Sequence, residues 1–373
     1  MKHAALALLL LATPVTADEP RPRLRDTGLT VGPLATGPLN AITDVPGVTV
    51  GQVTLVKGDT IRTGVTVIRP HPGNLFQDKV PAAFFRANGF GKFAGSPQID
   101  ELGEIESPVI LTNTLNIAEG LAGGIAWTLA QPGNEQVRSV NVIVGETNDG
   151  YLNDIRGRHV TAGDVEAAIA AARPGPVAEG SVGAGTGTQA FAWKGGIGTS
   201  SRIVTIGAAR YTVGVLVQTN FGGRLSILGT PIPDPPGELA ALQQTVGDGS
   251  IMMIVATDAP LSDRNLGRLA KRAIAGLART GSVMENGSGD FVVAFSTAED
   301  VRRTPARRSS VAAVANLPND LVSPLFAATA DATEEAIYNA MFKATMLTGN
   351  GHTLKALPLE VVIPKLKAAQ RAQ

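Results

Sequence analysis

Short apolar runs rich in β-branched residues alternate along this chain with glycine-containing turns, and that punctuation restricts the fold more than any other feature. Val48–Val50, Val65–Ile68, Val109–Thr112, Val140–Val144, Arg202–Ile206, Tyr211–Gln218, Ile251–Thr257 and Phe291–Phe295 have strand length and strand composition. Several are apolar at consecutive positions, as expected of strands covered on both faces. The 43 glycines and 24 prolines between them therefore predict tight turns and close backbone approaches, not disorder. Helical periodicity appears in Gly163–Ala172, Asp263–Thr280 and Thr333–Leu347. In the second, Leu266, Leu269, Ala273, Ile274 and Leu277 share a stripe from which Arg264, Arg268, Lys271, Arg272 and Arg279 mostly stand off. The third opens with Asp331 and the acids Glu334 and Glu335, a capping pattern, and ends at Gly349. Strands and helices interleave without strict alternation, which predicts a mixed α/β sandwich with sheets inside and helices outside.

The ends of the chain add a second expectation. Lys2 and His3 precede an apolar run, Ala4 to Ala12, followed by Thr13, Pro14, Val15, Thr16 and Ala17. This is the order of a signal peptide, so residues 1–17 are expected to be removed and the product to be periplasmic or secreted. The run is too short to span a bilayer. Residues 18–36 are polar, Arg- and Pro-rich, and read as an extended arm at the start of a single domain, 18–373. Lysine plus arginine and aspartate plus glutamate both number 32, so no electrostatic footprint marks a nucleic acid or membrane partner. The absence of cysteine excludes disulfides, thiolate metal sites and a cysteine nucleophile together.

The usual hydrolytic machineries are also missing. His71, His159 and His352 are widely spaced and stand in no H-x-H or H-E-x-x-H arrangement, which disfavours zinc. No serine occupies G-x-S-x-G or opens S-x-x-K. His352 in a convergent triad remains an alternative to a hydrogen-bonding surface histidine. The cluster from Gly180 to Thr188 lacks both the P-loop ending and G-x-G-x-x-G spacing, so it reads as a turn or a loop lining the site. Asn148, Asp149 and Gly150 form a turn signal without the remainder of a calcium loop.

A hydrolase without histidine can use an N-terminal serine, whose hydroxyl attacks while its own α-amine takes the proton. The pKa of such an amine, about 7.7–8.0, suits a general base. Gly249–Ser250 is a fitting place to liberate one: glycine leaves its carbonyl unshielded and tolerates strained geometry, and Ser250 immediately precedes the apolar run Ile251–Thr257. The proline-rich segment 231–237 just upstream reads either as the loop that such processing needs or as an ordinary surface loop.

In Gly247-Asp-Gly-Ser-Ile-Met-Met-Ile-Val-Ala-Thr-Asp-Ala-Pro-Leu261 the chain resembles the self-processing L-aminopeptidase/D-esterase and β-peptidyl aminopeptidase family. The likeness continues, in family order, at Asp44–Gly51, Thr112–Asn116, Gly145–Asp154, Gly183–Gly187, Thr219–Gly223 and Asn286–Asp290. It implies a four-layer α-β-β-α sandwich, self-cleaved into an α chain (18–249) and a β chain (250–373), and a tetramer of αβ units. It further implies removal of N-terminal residues from small peptides, amides or esters with no metal or organic cofactor. By the same resemblance Ser250 is the nucleophile, Gly249 donates the cleaved carbonyl and Asn220 binds the oxyanion. Tyr151 is the phenol near the nucleophile, and Ser288 and Asp290 orient it, with aspartate standing where many relatives carry glutamate. Glu146 and Glu135 are the candidates for gripping the substrate ammonium. Taken singly, these residues also have plain structural readings as turn or core polar groups. Two other functions stay open: a self-processing acyltransferase of the related ornithine acetyltransferase type, and a periplasmic binding protein whose cleft has lost catalysis.

Overall fold

The computed structural model describes residues 21–235 and 248–371. The expected signal peptide and the segment 236–247 lie outside the described residues. Eleven strands among those described build two sheets: β1 (Thr49–Lys57), β2 (Ile61–Arg69), β3 (Val80–Gly89), β4 (Phe93–Ala94), β5 (Glu104–Ile105), β6 (Val109–Asn113), β7 (Ile143–Thr147), β8 (Ile197–Ile206), β9 (Ala209–Asn220), β10 (Asp248–Thr257) and β11 (Gly287–Ser296). One sheet has the order β1-β2-β6-β7-β4, the other β8-β9-β10-β11-β3-β5. Met252, Ile254 and Phe291 of the second sheet meet Leu111 and Ile143 of the first in one buried apolar cluster.

Helices α1 (Ser96–Leu102), α2 (Ile117–Leu129), α3 (Ala162–Ala170), α4 (Asp263–Arg279), α5 (Ser323–Lys343) and α6 (Leu359–Arg371) complete the main elements. A second cluster joins Val65, Val67, Val142 and Val144 to Val165 and Ile169 of α3. In the third, Val215, Ile251, Met253 and Val292 pack on Leu266, Leu269, Ile337 and Met341 of α4 and α5. The amphipathic reading of α4 therefore stands, and the Ser262 hydroxyl caps it by accepting from Asn265 N–H at 3.4 Å.

Two expectations need correction, and one helix goes unforeseen. The third helix starts at Ser323, ten positions before Thr333, with Pro324 in its first turn. Its acids are not a cap: Arg279 holds Asp331 and Glu334 at 2.8 and 3.2 Å, and Glu335 is fully buried against Arg202 at 2.6 Å. The polar N-terminal segment is not merely extended. Leu24, Leu29 and Val31 are buried, and Arg25 joins the Arg202–Glu335 pair at 2.9 Å. Finally, α2 escapes sequence reading because it contains Gly120, Gly123 and Gly124. These glycines seat it on the sheet: a Cβ on Gly120 or Gly124 would stand 2.7 or 2.4 Å from Val144 or Val142.

The register around β11 positions the site. It runs parallel to β10, pairing Ser250 with Gly289 and Ile251 with Asp290, and antiparallel to β3. Between Asp290, opposite Asn88, and Phe291, opposite Arg86, the second pairing shifts by one residue at a bulge.

Candidate active site

Three strands bring the central residues into one row. β9 ends with Asn220 opposite Ser250, and Ser250 is in turn opposite Gly289. Paired residues share a face, and Met252, two positions on from Ser250, lies in the cluster between the sheets. The row therefore faces the space between the sheets. The Ser250 hydroxyl donates to the carbonyl oxygen of Gly249 and accepts from Gly289 N–H at 3.3 Å. Gly289 must lack a side chain, since a Cβ there would stand 2.7 Å from Phe90 O and 3.2 Å from Ser250 Oγ. Gly249 has a related reason: a Cβ would meet Phe221 Cα at 2.9 Å. It sits within a strand, so close packing explains the glycine and no left-handed backbone is involved.

Asn220 is buried, and its Oδ1 accepts from Gln189 N–H at 3.2 Å. With the carboxamide oxygen committed, the amide nitrogen is the end left to act as donor. Behind the row lie Ser288 and Asp290. Asp290 pairs with Ile251, whose side chain belongs to the helix-side cluster, so the carboxylate occupies the face opposite the Ser250 hydroxyl. Ser288 Oγ donates to Asp290 Oδ1 at 2.8 Å, while Oδ2 is buried without a partner among the described residues. Burial pushes the Asp290 carboxyl up to about 6 against the opposing pull of the Ser288 hydroxyl.

Glu146, at 2% exposed, is fixed by the Thr114 hydroxyl, by Lys92 N–H at 2.9 Å and by the Lys92 ammonium at 3.1 Å. It borders the row, because a Cβ on Gly91 would stand 3.3 Å from Glu146 Oε1 and 3.6 Å from Gly289 Cα. Glu135 differs. It is fully exposed, its carboxylate accepts from Gly133 N–H at 2.9 Å, and that bond holds its pKa below the usual value. Tyr151 stacks on His352, ring centroids 4.3 Å apart, outside the row of residues flanking Ser250 in the sheet. Among the described residues no group of three or more histidines and acids is arranged to hold a metal.

Sequence reasoning passes over Lys194. Fully buried, its ammonium donates to the carbonyls of Gly185, Thr188 and Gly195 at 3.0, 2.8 and 3.0 Å. It thereby ties down the glycine-rich segment that carries Gln189, the partner of Asn220. Burial pushes Lys194 down to about 7 and Asp149 up to about 7, each opposed by the other's charge. A lysine between Trp193 and two glycines, inside an otherwise apolar stretch, was the available signal.

The family model described as peptidase family S58 matches residues 40–354. The β-peptidyl aminopeptidase BapA of Sphingosinicella microcystinivorans is 40% identical over an alignment of 401 residues, covering 99% of this chain and 98% of that protein. Among solved structures, a β-aminopeptidase from Burkholderia sp. superposes with a TM-score of 0.83 at 39% identity, over 93% of this chain and 98% of that one. The L-aminopeptidase D-Ala-esterase/amidase of Ochrobactrum anthropi gives 0.83 at 35% identity, over 95% and 99%. That protein is described as a prototype for the serine aminopeptidases and a variant of the Ntn hydrolase fold.

Proposed function

The chain belongs to peptidase family S58 and is a hydrolase of the aminopeptidase kind; from that premise we propose that Ser250, freed by self-cleavage after Gly249, is its N-terminal nucleophile. The observation that carries this reading is the seat of the Ser250 hydroxyl on the Gly249 carbonyl, between Asn220 and Gly289. Attack by Oγ on that carbonyl transfers the acyl group from nitrogen to oxygen, and water then hydrolyses the ester. The products are a carboxylate on Gly249 and an α-amine on Ser250.

In turnover the amine takes the hydroxyl proton as Oγ attacks the substrate carbonyl, and the proton passes to the departing amine. Water releases the acyl group in a second step. Asn220 Nδ2 donates to the developing oxyanion. Asp290 and Ser288 hold the Ser250 amine, a role supported by the unpartnered Asp290 Oδ2. Glu146 receives the substrate ammonium; Tyr151 steadies the intermediate or relays a proton, and Glu135 is a second grip on substrate. Substrates are short peptides, amides and esters beginning with a β-amino acid, D-alanine or a small L-residue.

The layered α-β-β-α reading is supported by the cluster between the sheets and by those beneath the helices. The mature protein is proposed as a single domain split into 18–249 and 250–373, exported after loss of 1–17 and assembled as a tetramer of αβ units. Intact-mass analysis of wild type and Ser250→Ala, with hydrolysis of β-alanyl, D-alanyl and L-alanyl p-nitroanilides, tests the core of this. Wild type is expected as two chains and active, Ser250→Ala as one chain and inactive. An unbroken wild type that hydrolyses these substrates at full rate would disprove the role of the amine.

A further inference from the structure

The residues flanking Ser250 leave unexplained a cavity of about 500 Å³ beside them, lined among others by Phe84, Phe93, Phe291 and Ile117, with Arg86 and Lys92 as its cations. The three rings form a continuous apolar wall, with centroids 5.3 Å apart for Phe84–Phe93, 5.7 Å for Phe84–Phe291 and 5.9 Å for Phe93–Phe291. That wall reaches the nucleophile: a Cβ on Gly289 would stand 3.1 Å from Phe291 Cε2 and 3.2 Å from Ser250 Oγ. The two cations differ in kind. Lys92 is engaged by Glu146 at 3.1 Å, whereas Arg86 is exposed and has neither hydrogen bond nor ion pair among the described residues.

The register also sets the separation. Arg86 lies opposite Phe291, Phe291 opposite Met252, and Ser250 two residues along from Met252. Strand spacing and rise then place the Cα atoms of Arg86 and Ser250 roughly 12 Å apart. One residue beyond the scissile bond spans about 3.5 Å, and the long arginine stem covers the rest. An apolar wall with one uncommitted guanidinium at this distance matches an amino acid that carries both a hydrophobic side chain and a carboxylate.

We propose that the cavity is the subsite for the residue released behind the scissile amide, and that Arg86 takes that residue's free α-carboxylate. The preferred substrates are then dipeptides ending in an apolar or aromatic residue with a free C-terminus. The assignment deepens the Ser250 reading and rests on it.

The test compares β-alanyl-L-phenylalanine with its C-terminal amide in wild type and Arg86→Met. Wild type is expected to favour the free acid in kcat/KM, mainly through KM, and Arg86→Met to reduce that preference about tenfold. A wild type indifferent to the carboxylate, or a variant that keeps the preference, overturns the assignment; a general structural defect would lower both rates and leave their ratio alone. If wild type cleaves neither compound, the nucleophile reading fails. The subsite is then read by calorimetric titration with L-phenylalanine and L-phenylalaninamide. Tighter binding of the acid, lost in Arg86→Met, supports it, and equal binding refutes it.

Discussion

The two sides of Ser250 in the sheet are built differently. On the β9 side, Asn220 has its carboxamide oxygen fixed by Gln189, and the segment carrying Gln189 is anchored by a buried ammonium on three carbonyls. On the β11 side, Asp290 has one oxygen on Ser288 and the other buried with no donor among the described residues. The first side is complete in the uncut chain. The second lacks one cationic donor, and under the proposed cleavage the new α-ammonium of Ser250 is that donor. Under that proposal the precursor holds Asn220 ready as the oxyanion donor, while the carboxylate gains its partner only on maturation.

Substitutions can break or sharpen this contrast. The largest effect is expected at Asn220: Asn220→Ala should lower kcat about 10²–10³-fold, as loss of a preorganised oxyanion donor does. Steady-state kinetics on a β-alanyl p-nitroanilide checks it, and a loss below tenfold would remove Asn220 from that role. Lys194→Met strips one buried charge and leaves three carbonyls and Asp149 without it, so unfolding in denaturant should show a loss of about 3 kcal/mol.

On the other side, substitution of Asp290 should stabilise the precursor. Its folded carboxyl titrates at about 6, above the ordinary 3.8, so the folded chain binds this proton more tightly than the unfolded one. That contribution is full below the unfolded value and is lost as pH rises through about 6. In an uncleaved Ser250→Ala background, Asp290→Asn should therefore raise stability at pH 7, by on the order of 2 kcal/mol, and change little near pH 4. Thermal melts at the two pH values decide it; equal shifts at both would mean the carboxyl is not strained by burial. The smallest change is expected for Ser288→Ala. Removing the hydroxyl that holds the Asp290 pKa down should move the acidic limb of the kcat profile to higher pH without abolishing turnover.

The surroundings of Ser250 are legible in the sequence, because Gly249–Ser250 abuts an apolar strand and Asn220 ends another. The neighbouring wall is poorly legible there. The strand Val80–Gly89 starts with a proline at its second position and carries Arg86 and Asn88, so its polarity does not alternate as an ordinary half-buried strand would. The helix Ile117–Leu129 is hidden by glycines whose purpose is close seating on Val142 and Val144, a reason visible only in three dimensions. The acids of α5 mislead for a third reason. Asp331 and Glu335 look like a helix start until the arginines opposite them, distant in sequence, are seen.

The shift between Asp290 and Phe291 makes β3 two half-strands of opposite phase. Continued in the Asn88–Asp290 register, Arg86 would fall opposite Val292, whose side chain belongs to the helix-side core. The single extra residue, Ala87, turns Arg86 to the opening beside Phe291 while Asn88 stays behind with Asp290. Positions two apart on this ribbon thus answer to different surroundings, and a substitution changes its meaning on crossing Ala87.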